Sequence, residues 1–149
     1  MGLLNSMKIS ASALLAQRLR MDVIANNVAN QNTSRGLVDG APYRRQQVVF
    51  RERAAGVAFR DFLGSVRGPR SAGGGVEVSA IIEDTAPPRR VQDPTHPDAD
   101  EEGFVLLPNI NVVTEMTDLI SARRAYEASV TVLNAAKSLA LEALRIGRG

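Results

Sequence analysis

Residues 109–146 form the longest stretch of the chain without glycine or proline. This stretch constrains the fold more than any other feature. Its apolar side chains recur at three- and four-residue intervals, the spacing that places them along one side of an α-helix. They are Met116, Leu119, Ile120, Tyr126, Val130, Leu133, Ala140, Leu141 and Leu144. Roughly 35 residues at 1.5 Å each form a rod about 50 Å long, which a small compact domain cannot cover. The stretch therefore predicts a long helix that needs an extended partner.

Both ends of this predicted helix carry suitable terminating residues. Asn109 or Asn111, just after Pro108, can cap the start by accepting a backbone N–H. Gly147 can supply the left-handed residue that commonly follows a helix. We therefore expect one continuous helix between these positions.

A second helix is predicted from about Ser6 to Asn30, with Asn5 or Ser6 as its cap. Its apolar side chains recur every seven residues with intermediate positions filled, a pattern typical of a coiled-coil seam. The seam consists of Met7, Leu14, Met21 and Val28, with Ala11, Ile24 and Ala25 between them. This narrow stripe is the natural partner of the stripe at the other end of the chain.

An asparagine cluster follows the predicted seam. Asn26, Asn27 and Asn30 occupy the last turns of the first helix, and Asn32 follows them. Asparagine favours helix ends and turns because its amide competes for backbone groups. Two interpretations stay open: a frayed helix end, or side-chain amides that bridge packed helices.

The middle of the chain changes to strand patterns. Residues 76–82 and 43–50 predict two strands, and residues 90–92 and 104–107 are short candidates. Residues 51–75 hold five Arg and six Gly and predict a mobile loop with a short helix near 59–63. The expected fold class is α+β: long N- and C-terminal helices form a coiled-coil-like bundle, with a small β-rich module between them in the chain. The predicted segments are 1–35, 36–108 and 109–149.

Charge and composition exclude several classes of protein. The chain has no Cys and no Trp, so its core is aliphatic and it has no thiolate chemistry. Residues 91–120 hold seven acidic side chains and no Lys or Arg, whereas residues 35–90 hold ten Arg. Such alternation indicates complementary faces in an assembly rather than a nucleic-acid footprint. No run approaches the ~18 apolar residues of a membrane span, and polar interruptions argue against a cleaved secretory signal.

The candidate chemistry is limited to one acidic turn. Asp98, Asp100, Glu102 and Gly103 match the opening positions of a calcium-binding loop, but Asn109 stands where that loop needs Glu. The only histidine, His96, has no Cys or nucleophile elbow to act with. We therefore expect no catalytic residues, no cofactor and no metal, so the chain is not expected to be an enzyme.

The two ends of the chain carry a family resemblance. Residues 25–30, Ala-Asn-Asn-Val-Ala-Asn, resemble the signature of bacterial flagellar rod and hook proteins, and residues 109–128 with Asn134 and Lys137 resemble their C-terminal helix. Residues 93–99, Asp-Pro-Thr-His-Pro-Asp-Ala, followed by Gly103 and Pro108, are similar to the proximal-rod branch. Together these segments cover about two-thirds of the chain.

The resemblance implies a structural subunit of the periplasmic rod in the flagellar basal body, which transmits motor torque to the hook. It implies export through the flagellar secretion apparatus without a cleaved signal peptide. The implied partners are copies of the chain, other proximal and distal rod subunits and a base-adaptor protein, with no nucleic acid and no membrane insertion. Three alternatives stay open: another proximal-rod subunit, a soluble helical homodimer with a regulatory or nucleic-acid role, and a calcium-binding module.

The predicted assembly interface combines the two apolar stripes with the asparagines beside them. Its members are Met7, Leu14, Met21, Ile24, Asn26, Asn27, Val28, Asn30, Asn109, Asn111, Met116, Ile120, Tyr126, Val130, Leu133, Asn134 and Leu144. We expect the apolar members of the first helix to pack against those of the second. Neighbouring subunits are expected to cover the apolar surface that remains.

Overall fold

The computed structural model describes residues 3–36, 40–53 and 73–147. Within them, α1 (Leu3–Ala29) is followed by β1 (Gln46–Glu52), β2 (Val76–Glu83), β3 (Arg89–Gln92), β4 (Phe104–Leu107) and α2 (Val112–Ile146). Two long helices therefore flank a small strand-containing region, which confirms the α+β prediction. In the described residues, neither helix has the long apolar sequence that a membrane span requires.

Helix α1 contains no glycine or proline and begins upstream of the predicted caps. Asn5 and Ser6 lie inside its first turns, so the cap prediction is wrong. Leu3 and Leu4 precede these two polar residues, and Leu is a strong helix former, so the helix begins before Asn5. At the other end, the Asn26 carbonyl accepts from both the backbone N–H and the side-chain Nδ2 of Asn30, at 3.0 and 2.9 Å.

Helix α2 is capped by Asn111, not Asn109. The Asn111 Oδ1 accepts from the backbone N–H of Val113 at 3.0 Å and of Thr114 at 3.3 Å. The prediction for Gly147 is wrong, because its φ lies outside the left-handed region. Its N–H donates to the Ala143 carbonyl at 3.1 Å, so helical hydrogen bonding continues through it.

The strands form two separate pairs. β1 pairs with β2, and β3 pairs antiparallel with β4 in a register that places Val91 opposite Val105. Strand β1 begins later than predicted because the Tyr43 N–H donates to the Thr33 carbonyl at 3.2 Å. Most of the predicted mobile loop, and the short helix at 59–63, lie outside the described residues.

The row of least exposed side chains along α2 follows intervals of three and four residues. It comprises Val112, Glu115, Leu119, Ala122, Tyr126, Ser129, Leu133, Ala136 and Ala140. The predicted stripe mixed this row with outward residues, since Met116, Ile120 and Leu144 are each more than half exposed. An apolar count misses the inward row because small and polar side chains occupy about half of it.

The chain divides into two compact units. The first contains Met1–Leu19, Val49–Ala80 and Arg123–Gly149. In it, the Ser12 hydroxyl accepts from the Val76 N–H at 3.1 Å and donates to the Ile9 carbonyl at 2.7 Å. Gly75 has a φ of 101°, and a Cβ there would overlap the Ser12 hydroxyl. Glycine at this position thus allows the strand entry to approach the helix closely.

The second unit contains Arg20–Val48 and Ile81–Ala122. Its buried apolar side chains are Val23, Ile24, Val105, Pro108, Ile110 and Ala122. Asn27 and Glu115 are buried among the residues of this unit, at 0% and 1% exposure. The division into segments 1–35, 36–108 and 109–149 remains a prediction.

Candidate assembly site at the ends of the helices

Asn27, on the last turns of α1, is held by four hydrogen bonds. Its Nδ2 donates to the Gln46 carbonyl at 2.8 Å and to the Glu115 Oε2 at 3.0 Å. Its Oδ1 accepts from the Gln46 N–H at 2.9 Å and from the Tyr43 hydroxyl at 3.0 Å. An amide offers two donors and two acceptor lone pairs, so this buried side chain is fully satisfied. The Asn27 amide thus bonds both backbone groups of Gln46, as the backbone of a neighbouring strand would.

Glu115, in the first turn of α2, is a buried carboxylate with a specific cation. The Arg45 Nε donates to its Oε1 at 2.6 Å, and Asn27 donates to its other oxygen. Glu115 also lies near the helix N-terminus, where the helix dipole favours a negative charge. A carboxylate is tolerated inside a protein when it is paired and hydrogen-bonded, and both conditions hold here.

Tyr43 extends the network toward the surface. Its hydroxyl donates to Asn27 and accepts from the Asn26 Nδ2 at 3.3 Å. Burial, followed by the nearby carboxylates of Glu83 and Glu115, raises the pKa of the Tyr43 hydroxyl above its ordinary value of 10.0. The hydroxyl therefore stays protonated and remains a donor at neutral pH.

Ion pairs to Asp118 show in which direction α1 and α2 run relative to each other within this unit. The Arg20 Nη2 lies 3.5 Å from the Asp118 Oδ1, and Arg45 lies 3.7 Å from the other Asp118 oxygen. Because Asn27 meets Glu115 while Arg20 meets Asp118, the end of α1 runs antiparallel to the start of α2. The network thus joins the end of one long helix to the beginning of the other through the segment that leads into β1.

Asp98 and Asp100, in the proline-rich turn between β3 and β4, are both engaged in hydrogen bonds or ion pairs within the second unit. Asp98 accepts from the Ser34 hydroxyl at 2.6 Å and pairs with Arg35. Asp100 accepts from the backbone N–H groups of Glu102 and Phe104 at 3.0 and 2.8 Å. The described residues contain no group of three or more His, Cys, Asp or Glu side chains that could hold a metal ion. These contacts make the turn a structural element and give no support to the calcium-loop alternative.

The single histidine also has a structural role. The His96 Nδ1 accepts from the Asp98 N–H at 3.1 Å, which assigns the proton of the neutral ring to Nε2. Gly103 closes the same turn with a φ of 79° and lies against Pro94. The histidine therefore fixes the turn that presents Asp98 to the segment after α1.

Asp98 should make this unit sensitive to acid. The Ser34 hydroxyl, followed by the Arg35 guanidinium, holds the pKa of Asp98 below its ordinary value of 3.8. Its stabilising contribution is therefore complete above that value and is lost as pH falls through the lower pKa of the folded state. We expect Asp98→Asn to lower the Tm at pH 7, and the difference from the wild type to shrink toward pH 2. Thermal unfolding followed by circular dichroism at both pH values measures this.

Glu101→Gln, at an exposed position of the same turn, is the matched control for the loss of one negative charge. A Tm difference between wild type and Asp98→Asn that stayed constant from pH 7 to pH 2 would contradict the role given to the Asp98 carboxylate.

The predicted interface residues fall into three groups by exposure in the isolated chain. Ile24 and Asn27 are buried. Met7, Leu14, Met21, Val28, Asn30, Tyr126, Val130 and Leu133 are half-buried. Asn26, Asn109, Asn111, Met116, Ile120, Asn134 and Leu144 are exposed. The pairing of the apolar members across the two helices remains a prediction.

Sequence reasoning identified the asparagines but missed their partners. Glu115, Arg45 and Tyr43 complete the network, and none of them was predicted to belong to the site. One signal was available for Glu115, because it lies three residues after Val112 and four before Leu119, on their side of the helix. No sequence signal was available for Arg45, because nothing distinguishes it from the other Arg among the ten in residues 35–90.

Comparison with known proteins locates matches at both ends of the chain. Residues 7–35 match a family described as "Flagella basal body rod protein". Residues 101–146 match a family described as "Flagellar basal body rod FlgEFG protein C-terminal". The first range contains Asn27 and the second contains Glu115. Their partners Tyr43, Arg45 and Gln46 lie between the two matched ranges.

Three full-length relatives carry the name "Flagellar basal-body rod protein FlgC". The protein of Borreliella burgdorferi is 46% identical over 100% of both chains. That of Bacillus subtilis is 47% identical over 97% of both chains. That of Escherichia coli O6:H1 is 44% identical over 99% of this chain and 100% of its own.

Proposed function

Because the chain belongs to the FlgC family of flagellar basal-body rod proteins and is a structural subunit of that rod, we propose that it builds the proximal segment of the rod. In this role its terminal helices pack with those of neighbouring subunits. The assembly transmits torque from the motor toward the hook. The role is mechanical and needs no catalysis.

The observation that carries this proposal is the clamp formed by Asn27, Glu115 and Arg45. It fixes the end of α1 against the start of α2, and these are segments that match rod-protein families. A subunit that transmits torque needs a rigid connection between the helices that join it to its neighbours. A buried network with every bond of Asn27 satisfied supplies such rigidity.

Exposed apolar surface on α2 supports polymerisation. Eight large apolar side chains of this helix are exposed in the isolated chain: Val113, Met116, Ile120, Val132, Leu139, Leu141, Leu144 and Ile146. Exposed apolar patches commonly mark protein–protein contacts. Copies of the same chain, other proximal and distal rod subunits and the base-adaptor protein would cover them.

The proposed location is the periplasmic rod of the basal body. The chain would reach it through the flagellar export apparatus without a cleaved signal peptide. The absence of Cys suits this route, because a chain that passes unfolded into an oxidising compartment avoids unwanted disulfides.

Leu133→Asp tests the proposal directly. Leu133 is half-buried on the inward row of α2, and a charge there would be desolvated in the assembled rod. We expect a cell that carries only this variant to lose swimming and the variant to be absent from purified basal bodies. Soft-agar motility and immunoblotting of basal bodies measure the two effects.

Ser138→Asp is the matched control, because it places the same charge at an exposed position five residues along the helix. It should retain motility. Swimming cells with Leu133→Asp subunits in their basal bodies would count against a structural role for this helix in the rod.

A further inference from the structure

The C-terminal half of α2 carries a second row of side chains, on its exposed side. Ala128, Val132, Ala135, Leu139, Glu142 and Ile146 follow intervals of three and four residues, and all are exposed. Leu139 and Ile146 are 58% and 79% exposed. A heptad-spaced apolar row is the pattern that packs against another helix. The alternation of Ala with larger residues provides recesses for a partner's side chains.

The N-terminal half of α1 carries a matching exposed row. Leu4, Lys8, Ala11, Leu15 and Arg18 follow the same spacing, and all are exposed. Leu4 and Leu15 are 75% and 71% exposed, and Leu19 lies beside them. Both rows belong to the same compact unit and are left uncovered by its described residues.

The charges on the two rows differ in sign. The α1 row carries Lys8 and Arg18 and no acid, whereas the α2 row carries Glu142 and no base. Two α1 rows facing each other would oppose bases with bases, and two α2 rows facing each other would bring no opposite charge to Glu142. Each row therefore fits the other better than it fits itself. When each neighbour engages only one of two such complementary surfaces, the contact is heterologous, and heterologous contacts build rings or open helical arrays.

We propose that the exposed α1 row of one subunit packs on the exposed α2 row of the next copy of this chain. This inference rests on the proposed rod assembly and specifies which surfaces of neighbouring copies meet. The contact is repeated from copy to copy, because each subunit retains one free row of each kind.

Cysteine crosslinking tests this contact cleanly, because the chain has no cysteine of its own. Single-cysteine variants at Leu4, Leu15 or Leu19 are co-expressed, pair by pair, with variants at Val132, Leu139 or Ile146. Basal bodies are purified, oxidised and separated without reducing agent. We expect a disulfide-linked dimer in at least one mixed pair and none in basal bodies that hold a single variant. A double variant such as Leu15→Cys with Leu139→Cys should give a ladder of covalent oligomers.

Ser138→Cys replaces Leu139→Cys as the matched control, since it is exposed on α2 but lies off the row. Its crosslinking with the α1 variants should be several-fold weaker. Crosslinks in singly substituted rods, or crosslinks to a different rod protein, would overturn the proposal. Basal bodies that contain the variants without any mixed crosslink would also overturn it while leaving the proposed function intact. Absence of the wild-type chain from basal bodies would instead refute the proposed function.

Discussion

Asn27→Asp is expected to destabilise the protein by about 3 to 5 kcal/mol, the range found when one partner of a buried charged network is removed. The substitution preserves shape but replaces both donors with an oxygen. That oxygen would face the Gln46 carbonyl and the Glu115 carboxylate, which Asn27 now contacts at 2.8 and 3.0 Å. Since domains of this size are stable by about 5 to 15 kcal/mol, the loss is a large part of the total. Urea unfolding of the purified chain, followed by circular dichroism, measures it.

Asn134→Asp is the control for this experiment. Asn134 is exposed on α2, so the same chemical change should alter the free energy of unfolding by no more than about 0.5 kcal/mol. Equal stabilities of the Asn27 and Asn134 variants would refute the structural role of the network.

Glu115→Ala is expected to cost about 3 kcal/mol, because it leaves the Arg45 Nε and one Asn27 donor without an acceptor, although Asp118 remains 3.7 Å from the Arg45 Nη2. Arg45→Ala should cost at least as much, because it leaves the Glu115 carboxylate, which is only 1% exposed, without its cation. The double variant should be more stable than the sum of the two losses predicts, with a coupling of about 1 to 3 kcal/mol. A double-mutant cycle in urea provides this number.

The exposed pair of Arg123 and Glu127 on α2 supplies the matched cycle. Its Nε–Oε1 distance of 2.8 Å is close to that of the buried pair, but its side chains are 74% and 58% exposed. Coupling there should be about 0.3 to 0.5 kcal/mol. Similar couplings in the two cycles would mean that burial adds nothing to the Arg45–Glu115 pair.

The helices and strands were largely predictable because their signals are local. The absence of Gly and Pro sets the extent of α2, and β4 occupies the predicted residues 104–107. The apolar stripe of α2 was predicted less well. Its inward row includes Glu115, Ala122, Ser129 and Ala136, and residues of these types are equally common on exposed faces. Their exposure in the folded chain distinguishes the two faces, and residue type alone does not.

The partners of Asn27 could not be predicted for a related reason. Tyr43 and Gln46 lie 16 and 19 residues further along the chain, and Glu115 lies 88 residues away. Sequence reasoning recognised that the asparagines could bridge packed helices, but a single sequence holds no information on which distant groups would meet them. The family resemblance identified both segments correctly without specifying the contact that joins them.

An electron cryo-microscopy reconstruction of basal bodies from cells that carry this chain tests the proposed rod function most directly. The proposed function predicts density for the chain in the proximal rod, with the end of α1 antiparallel to the start of α2. In that density the side chains of Asn27 and Glu115 should lie in contact. A proximal rod whose density excludes this sequence would refute the proposed function. Density in which these two segments lie too far apart for their side chains to meet would refute the role of the Asn27–Glu115 contact.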